Sequence, residues 1–268
     1  FEMMAAWLSR AELEKIFGKI DVRRKYGKVF LVGAGPGDPG LFTLKGVEIL
    51  KIADIVFYDH LVHKALLDHA FFAEKINVGK RKGNATMPQG ELSQLLKEKV
   101  LLGKTVVRLK GGDPLIFGRG ADEISYLRSF HIEVQVVPGL TSATGIPSSL
   151  GIPLTARGIS SSVVFLSGHT EDESHHPPAS IQIPLAQTLV FLMGLTKLTQ
   201  IVKSLRKQNW LSTTPVAVIS KGTCLEEKVV IGDLTNIEVK VNQASLPQPA
   251  LIIVGKTVGF YSPKFRKQ

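Results

Sequence analysis

Cysteine is nearly absent from this chain: Cys224 is the only one in 268 residues. A single thiol closes no intramolecular disulfide and builds no cysteine-rich zinc site, so a reducing compartment is implied and a cytoplasmic location is expected. Aromatic residues are also scarce, at 7% with two tryptophans. No basic stripe interleaved with aromatics is present, so the stacking platform of a single-stranded nucleic-acid binder is missing. Long apolar runs are lacking too. The longest uncharged stretch, residues 134–156, is interrupted by Pro138, Pro147, Pro153 and several glycines, whereas a membrane-spanning helix needs about 20 predominantly apolar residues. Glu2, Arg10 and Glu12 leave no apolar core for a signal peptide near the N-terminus. The chain opens on Phe1 rather than Met, which makes it a piece of a longer polypeptide by expectation.

What the chain has in excess is positive charge. Lysine and arginine number 33 against 23 acidic residues, a formal net charge of +10. Such a balance favours an anionic partner: nucleic acid, an anionic membrane or a polyanionic small molecule. Part of it lies in terminal runs, "DVRRKYGK" and "PKFRKQ", which read as solvated arms. His175 and His176 are adjacent in a proline-rich stretch and lack the convergent spacing of a metal site, so no metal is expected.

From Lys28 onward, apolar periodicity alternates between strand and helix. Strands are predicted at Val29–Val32, Ile55–Tyr58, Lys75–Val78 and Thr105–Leu109, and helices at Leu44–Ile52 and Gln89–Leu102. This order argues for a mostly parallel sheet covered by helices. The Pro- and Gly-rich region 138–158 reads as a domain boundary. Beyond it, strands are expected at Val163–Ser167, Leu189–Met193, Val216–Ser220 and Leu251–Val254, with Leu198, Ile201, Val202 and Leu205 forming one helical stripe. The expected organisation is a basic, helix-prone segment at 1–27, an N-terminal α/β domain at 28–140, a C-terminal α/β domain at 141–262 and a basic tail at 263–268. Small ligands favour the cleft between two such domains.

The first glycine loop, in "KVFLVGAGPGDPGLFTLKG", resembles a dinucleotide fingerprint but departs from it. Gly33 and Gly35 fit, whereas Asp38 occupies the sixth position, putting negative charge where a pyrophosphate would lie. No Gly-Lys-Ser/Thr follows, so it is not a P-loop either. It offers close backbone approach held by Pro36 and Pro39, suited to an uncharged or cationic ligand face. A second glycine loop follows in "VVRLKGGDPLIFGRGADEI", with Asp113 between a glycine pair and Pro114.

These loops, with "YDHLV", "VGKRKG", "VPGLTSATG", "GIPLTAR", "LVFLMGL" and "TPVAVISKGT", resemble the uroporphyrinogen-III C-methyltransferases of the tetrapyrrole methylase family. The resemblance runs from about Lys28 to Val258. It implies two α/β domains with S-adenosyl-L-methionine bound between them, two methyl transfers to C2 and C7 of uroporphyrinogen III giving precorrin-2, and a homodimer. Fusion to a sirohaem-pathway dehydrogenase/chelatase is a further implication. Carried onto this sequence, cofactor contacts fall on Pro36, Gly111, Gly112, Asp113 and Ile116, then on Thr141, Ser142, Met193, Gly222 and Ala250. Proton transfer falls on Asp59 and Lys80. The eight carboxylates of the tetrapyrrole give the basic residues Arg81, Lys82, Arg108, Lys110, Arg119 and Arg157 a purpose, since arginine forks bind carboxylates bidentately. His60, Ala156 and Gly158 depart from the family's usual residues. The rival readings are a methyltransferase of this fold acting on a later corrin intermediate and, from a different class, a basic RNA-binding or RNA-modifying protein.

Overall fold

The computed structural model describes residues 27–79, 89–168 and 183–263. The first half of the chain alternates strand and helix: β1 (Val29–Gly33), α1 (Leu44–Lys51), β2 (Ile55–Tyr58), β3 (Glu74–Asn77), α2 (Gln89–Leu101), β4 (Val106–Lys110), α3 (Gly120–Arg128) and β5 (Val134–Val137). The five strands form one sheet in the order β3-β2-β4-β1-β5, with every pairing parallel. A sheet covered on both faces needs strands that are apolar throughout, and all five residues of β1 are buried. The two faces separate with period two. Phe30, Val32, Val107 and Leu109 pack with Leu50 of α1, whereas Val29, Leu31, Phe57 and Val106 pack with Leu96 and Val100 of α2 and Leu127 of α3.

α4 (Ser142–Ser149) then leads into a second set of elements: β6 (Val163–Ser167), β7 (Thr188–Leu192), α5 (Leu198–Lys207), β8 (Pro215–Ser220), β9 (Lys228–Asp233), α6 (Ile237–Ala244) and β10 (Ala250–Val254). The order here is β6-β7-β10-β8-β9, and only the β6–β7 pair is parallel. The expectation of a mostly parallel sheet, drawn from the alternation of the first half, holds there, and the second sheet is mixed. The physical reason lies in the connections. A hairpin joins antiparallel strands through a short link, as residues 221–227 join β8 to β9, whereas parallel neighbours require a long crossover. One face of this sheet buries Phe191, Val218 and Ile252 against Ile201 and Leu205 of α5 and Ile237 of α6. The other buries Val190, Ile219 and Ile253 against Ala143 and Ile146 of α4.

The region 138–158, expected as a boundary without regular structure, contains α4. Thr141 caps this helix, its Oγ1 accepting from the Ala143 N–H at 3.3 Å. Pro147 lies inside it, an unfavourable position by local propensity. Burial of Ala143 and Ile146 against the second sheet outweighs that propensity. Among the described residues, no helix is long and apolar enough to cross a membrane.

Candidate active site at the joined sheet edges

The carboxyl ends of β1, β4 and β5 meet through glycine. Gly35 and Gly112 exchange backbone hydrogen bonds, 3.2 Å from Gly35 N to Gly112 O and 2.7 Å in return. A Cβ on Gly139 would fall 2.2 Å from the Gly112 carbonyl oxygen, and one on Gly33 would fall 2.5 Å from the Gly139 Cα. No side chain fits at either position, so the main chains of the loops after three strands pack directly on one another. Gly112 differs. Its φ is +68°, and a Cβ there would meet nothing closer than Ser142 N and Thr141 Cα, both at 3.9 Å. Its backbone therefore lies in ordinary packing distance of Thr141 and Ser142, and its positive φ rather than crowding is what calls for glycine.

Asp113 fastens this arrangement. Its Oδ1 accepts from the Leu115 N–H at 2.8 Å and its Oδ2 from the Gly139 N–H at 3.1 Å. Both oxygens are thus committed to main-chain donors, while the residue remains half-buried beside Gly112. Ile116, three residues on, leaves 38% of its surface exposed.

The second sheet presents its own edge to this corner. The Asp38 N–H donates to Thr223 Oγ1 at 3.1 Å. A Cβ on Gly37 would meet Cys224 Sγ at 2.6 Å, and one on Gly145 would meet the Pro36 ring at 3.1 Å. Gly222 is buried on Ile146 of α4, with no room for a side chain. Ala250 pairs with Ser220, and Leu251 pairs with Leu192, so Met193 lies beside Ala250 at the same end of the sheet. Met193 has a φ of +55° and is 47% exposed, which ends β7 one residue earlier than its sequence suggested. The structure thereby gathers Pro36, Gly111, Gly112, Thr141, Ser142, Gly222 and Ala250 along two sheet edges held together by the loops 34–40 and 221–224. Burial pushes the Cys224 thiol above its usual range, and the carboxylate of Glu226 adds to the effect.

Asp59 stands at the end of β2, next to β4. Its Oδ1 accepts from the Leu61 N–H at 3.0 Å, and its Oδ2 lies 3.6 Å from an Arg108 guanidinium nitrogen. Arg108 and Lys110 correct an expectation. Read as residues facing an anionic substrate, they are instead 6% and 5% exposed. Lys110 Nζ donates to Glu123 Oε1 at 2.9 Å, and Arg108 Nε approaches the same oxygen at 3.5 Å. Alternation along β4 turns both side chains to the face that α3 covers, where Glu123 is fully buried. Burial lowers the pKa of Lys110 below the usual lysine range, the Arg108 charge lowers it further, and Glu123 opposes both. Their charges are used inside the fold.

Of the other basic residues, Arg119 and Arg157 are exposed on loops. Lys80, Arg81 and Lys82 lie outside the described residues, as do His175 and His176. Gly79, the last described residue before Lys80, packs against Asp59 and His60: a Cβ there would fall 2.5 Å from His60 N. Three residues of this corner escaped the sequence reading: Glu123, Thr223 and Cys224. Glu123 did leave a signal, because two cations on one face of an apolar strand need a buried acid nearby.

Loops of this kind, at the ends of a parallel sheet and closed by the edge of a mixed one, define a two-sheet α/β protein whose strand-end glycine loops carry no phosphate-binding motif. The chain belongs to the tetrapyrrole (corrin/porphyrin) methylases, whose family pattern matches residues 28–238. It is 44% identical over 234 residues to the uroporphyrinogen-III C-methyltransferase of Methanocaldococcus jannaschii, covering 87% of this chain and 97% of that enzyme. It is 43% identical over 253 residues to the siroheme synthase of Hahella chejuensis, covering 93% of this chain and 54% of the relative. The chain thus spans about half the length of the siroheme synthases it matches. The crystal structure of a Thermus thermophilus uroporphyrin-III C-methyltransferase complexed with S-adenyl homocysteine superposes with a TM-score of 0.74 at 35% identity, covering 88% of this chain and all of that one.

Proposed function

We propose that this chain is an S-adenosyl-L-methionine-dependent C-methyltransferase that methylates uroporphyrinogen III at C2 and C7, giving precorrin-2. The observation that carries this reading is the glycine cradle of Gly33, Gly35, Gly112 and Gly139, packed beside Thr141 and Ser142 and without a phosphate-binding motif. Such a cradle suits a cofactor with a cationic sulfonium and no phosphate. Relatives bearing the names of this activity over nearly their whole length support it.

The residues present fit that cofactor. The main chain at Gly111 and Gly112 would hold its polar end, and Asp113 would keep the loop in place while setting a negative charge beside it. Ile116 and Met193, exposed despite being apolar, would give the adenine a polarisable wall. When bound, S-adenosyl-L-methionine supplies an electrophilic methyl group. Asp59 would take the proton that the methylated ring loses as its double bonds settle, with Lys80 as the second proton-transfer group. Arg81, Lys82, Arg119 and Arg157 would engage the substrate carboxylates. Around this core we propose the domain division 28–140 and 141–262, a cytoplasmic homodimer, and a partnership with a sirohaem-pathway dehydrogenase/chelatase, in keeping with the twice-longer siroheme synthases.

The test is an anaerobic assay with uroporphyrinogen III and methyl-labelled S-adenosyl-L-methionine, the tetrapyrrole product being identified by mass. Two labelled methyl groups on the ring are expected. A cofactor that binds while no methyl reaches this ring would overturn the substrate and point to a later corrin intermediate. Asp113→Ala is expected to weaken cofactor binding about tenfold or more, because two main-chain donors lose their acceptor; unchanged affinity by calorimetry would remove Asp113 from the site.

A further inference from the structure

The function proposed above gives no role to the buried charges under the first sheet, Arg108, Lys110 and Glu123. Glu123 is fully buried on α3, one turn beyond the second glycine loop, and its N–H reaches the Arg119 carbonyl at 3.4 Å. Its Oε1 accepts from Lys110 Nζ at 2.9 Å and stands 3.5 Å from Arg108 Nε. Arg108 in turn donates to the Leu109 carbonyl at 2.9 Å and to the Phe57 carbonyl at 3.5 Å, and its other terminal nitrogen lies 3.6 Å from Asp59 Oδ2. With Leu61 N–H on Oδ1, both oxygens of the Asp59 carboxylate have partners, yet 20% of that side chain remains exposed at the sheet edge.

We infer that Glu123 is a positioning residue for Asp59, acting through Arg108. The inference rests on the assignment of Asp59 to proton transfer. Two cations and two carboxylates balance in charge, but stability alone does not explain them. Well-packed apolar residues at buried positions are often as stabilising as an ion pair, or more so. The cluster is also imperfectly satisfied: Arg108 Nε is buried and makes no hydrogen bond among the described residues. What the cluster does accomplish is geometric. Glu123 holds Lys110 and the Arg108 stem from below, the strand carbonyls of Leu109 and Phe57 fix the guanidinium plane, and the remaining nitrogen orients the one carboxylate that reaches the surface. Small displacements of a reacting group have large effects on rate.

The experiment is a double-mutant cycle on steady-state turnover to the methylated, deprotonated ring, combining Glu123→Gln with Asp59→Asn. Glu123→Gln is expected to slow the otherwise unchanged enzyme about tenfold, with KM for both substrates within about twofold. In the Asp59→Asn background the same substitution is expected to slow turnover less than about twofold, because the group it positions is gone. Where Asp59→Asn leaves no measurable rate, Asp59→Glu supplies the second background, its carboxylate displaced from the guanidinium. Equal slowing in both backgrounds, or none in the first, overturns the inference. Should Glu123→Gln fail to fold, Arg108→Lys, which keeps the cation and loses the fork, takes its place with the same criteria. An Asp59→Asn enzyme at full speed overturns the Asp59 assignment and this inference together, and that single-variant rate separates it from failure of the cluster alone.

Discussion

The two sheets differ in what they bury. Beneath the first lie three charged side chains, Arg108, Lys110 and Glu123, whereas among the described residues of the second half the buried polar ones are all hydroxyls: Ser160, Thr188, Ser204, Ser220 and Thr257. The hydroxyls bond one another and nearby main chain. Ser160 Oγ and Thr188 Oγ1 are 2.8 Å apart, and Thr188 and Thr257 are 3.3 Å apart. Neutral hydroxyls tie strands together at small electrostatic cost, whereas buried charges demand partners at full strength. The comparison teaches a division of labour. The parallel sheet carries the buried charged side chains, and the mixed sheet closes the corner with apolar and main-chain surface.

The largest expected effect falls on the first sheet. Asp59→Asn should slow turnover about 100- to 10,000-fold while leaving calorimetric affinity for the cofactor unchanged. A turnover within a few-fold of normal would remove the chemical half of the contrast. Next come the glycine contacts, which both sheets share: a Cβ on Gly168 would fall 2.3 Å from the Gly194 Cα, much as one on Gly139 strikes Gly112. Gly139→Ala and Gly168→Ala should each cost about 3 kcal/mol in denaturant unfolding. Only the former should also abolish cofactor binding by the protein that remains folded, and equal loss in both would erase the distinction.

Smaller effects sharpen the contrast. Thr188→Val should cost about 1–3 kcal/mol, because Ser160 and Thr257 lose a buried partner, and turnover per folded molecule should stay normal. A drop in that turnover would give the second sheet a chemical role. The smallest effect concerns Cys224. Its pKa is raised by burial, so at pH 8 less of it is thiolate than in an exposed cysteine, and iodoacetamide should alkylate the folded protein more slowly than the denatured chain. Equal rates would show that the loop 221–224 does not close on Gly37.

The legible parts of the fold were those in which one strand carries its own signal. β2 is Ile55–Tyr58 both by periodicity and in space, and the stripe of Leu198, Ile201, Val202 and Leu205 lies buried on α5. α4 was hidden because its Gly145 and Pro147 argue against a helix locally, and its support comes from a sheet whose strands begin more than a dozen residues later. β9 was hidden because "KVVIGD" is charged at both ends and carries Gly232, and it forms by pairing along β8. The candidate site was legible as a set of loops. Arg108 and Lys110 were misread because a charge on a strand looks alike in sequence whether it faces water or a buried acid.

By itself, then, the sequence determined an α/β chain with repeated strand-end glycine loops that match no phosphate-binding motif. Those signals are local: backbone freedom at glycine, a fixed φ at proline and apolar periods of two and 3.6 residues. Only the tertiary structure decided which sheet is mixed, that Glu123 rather than a ligand neutralises Lys110, and that Asp59 is held from two sides. Each of these depends on groups far apart along the chain, and their energies arise only once packing excludes water from between them.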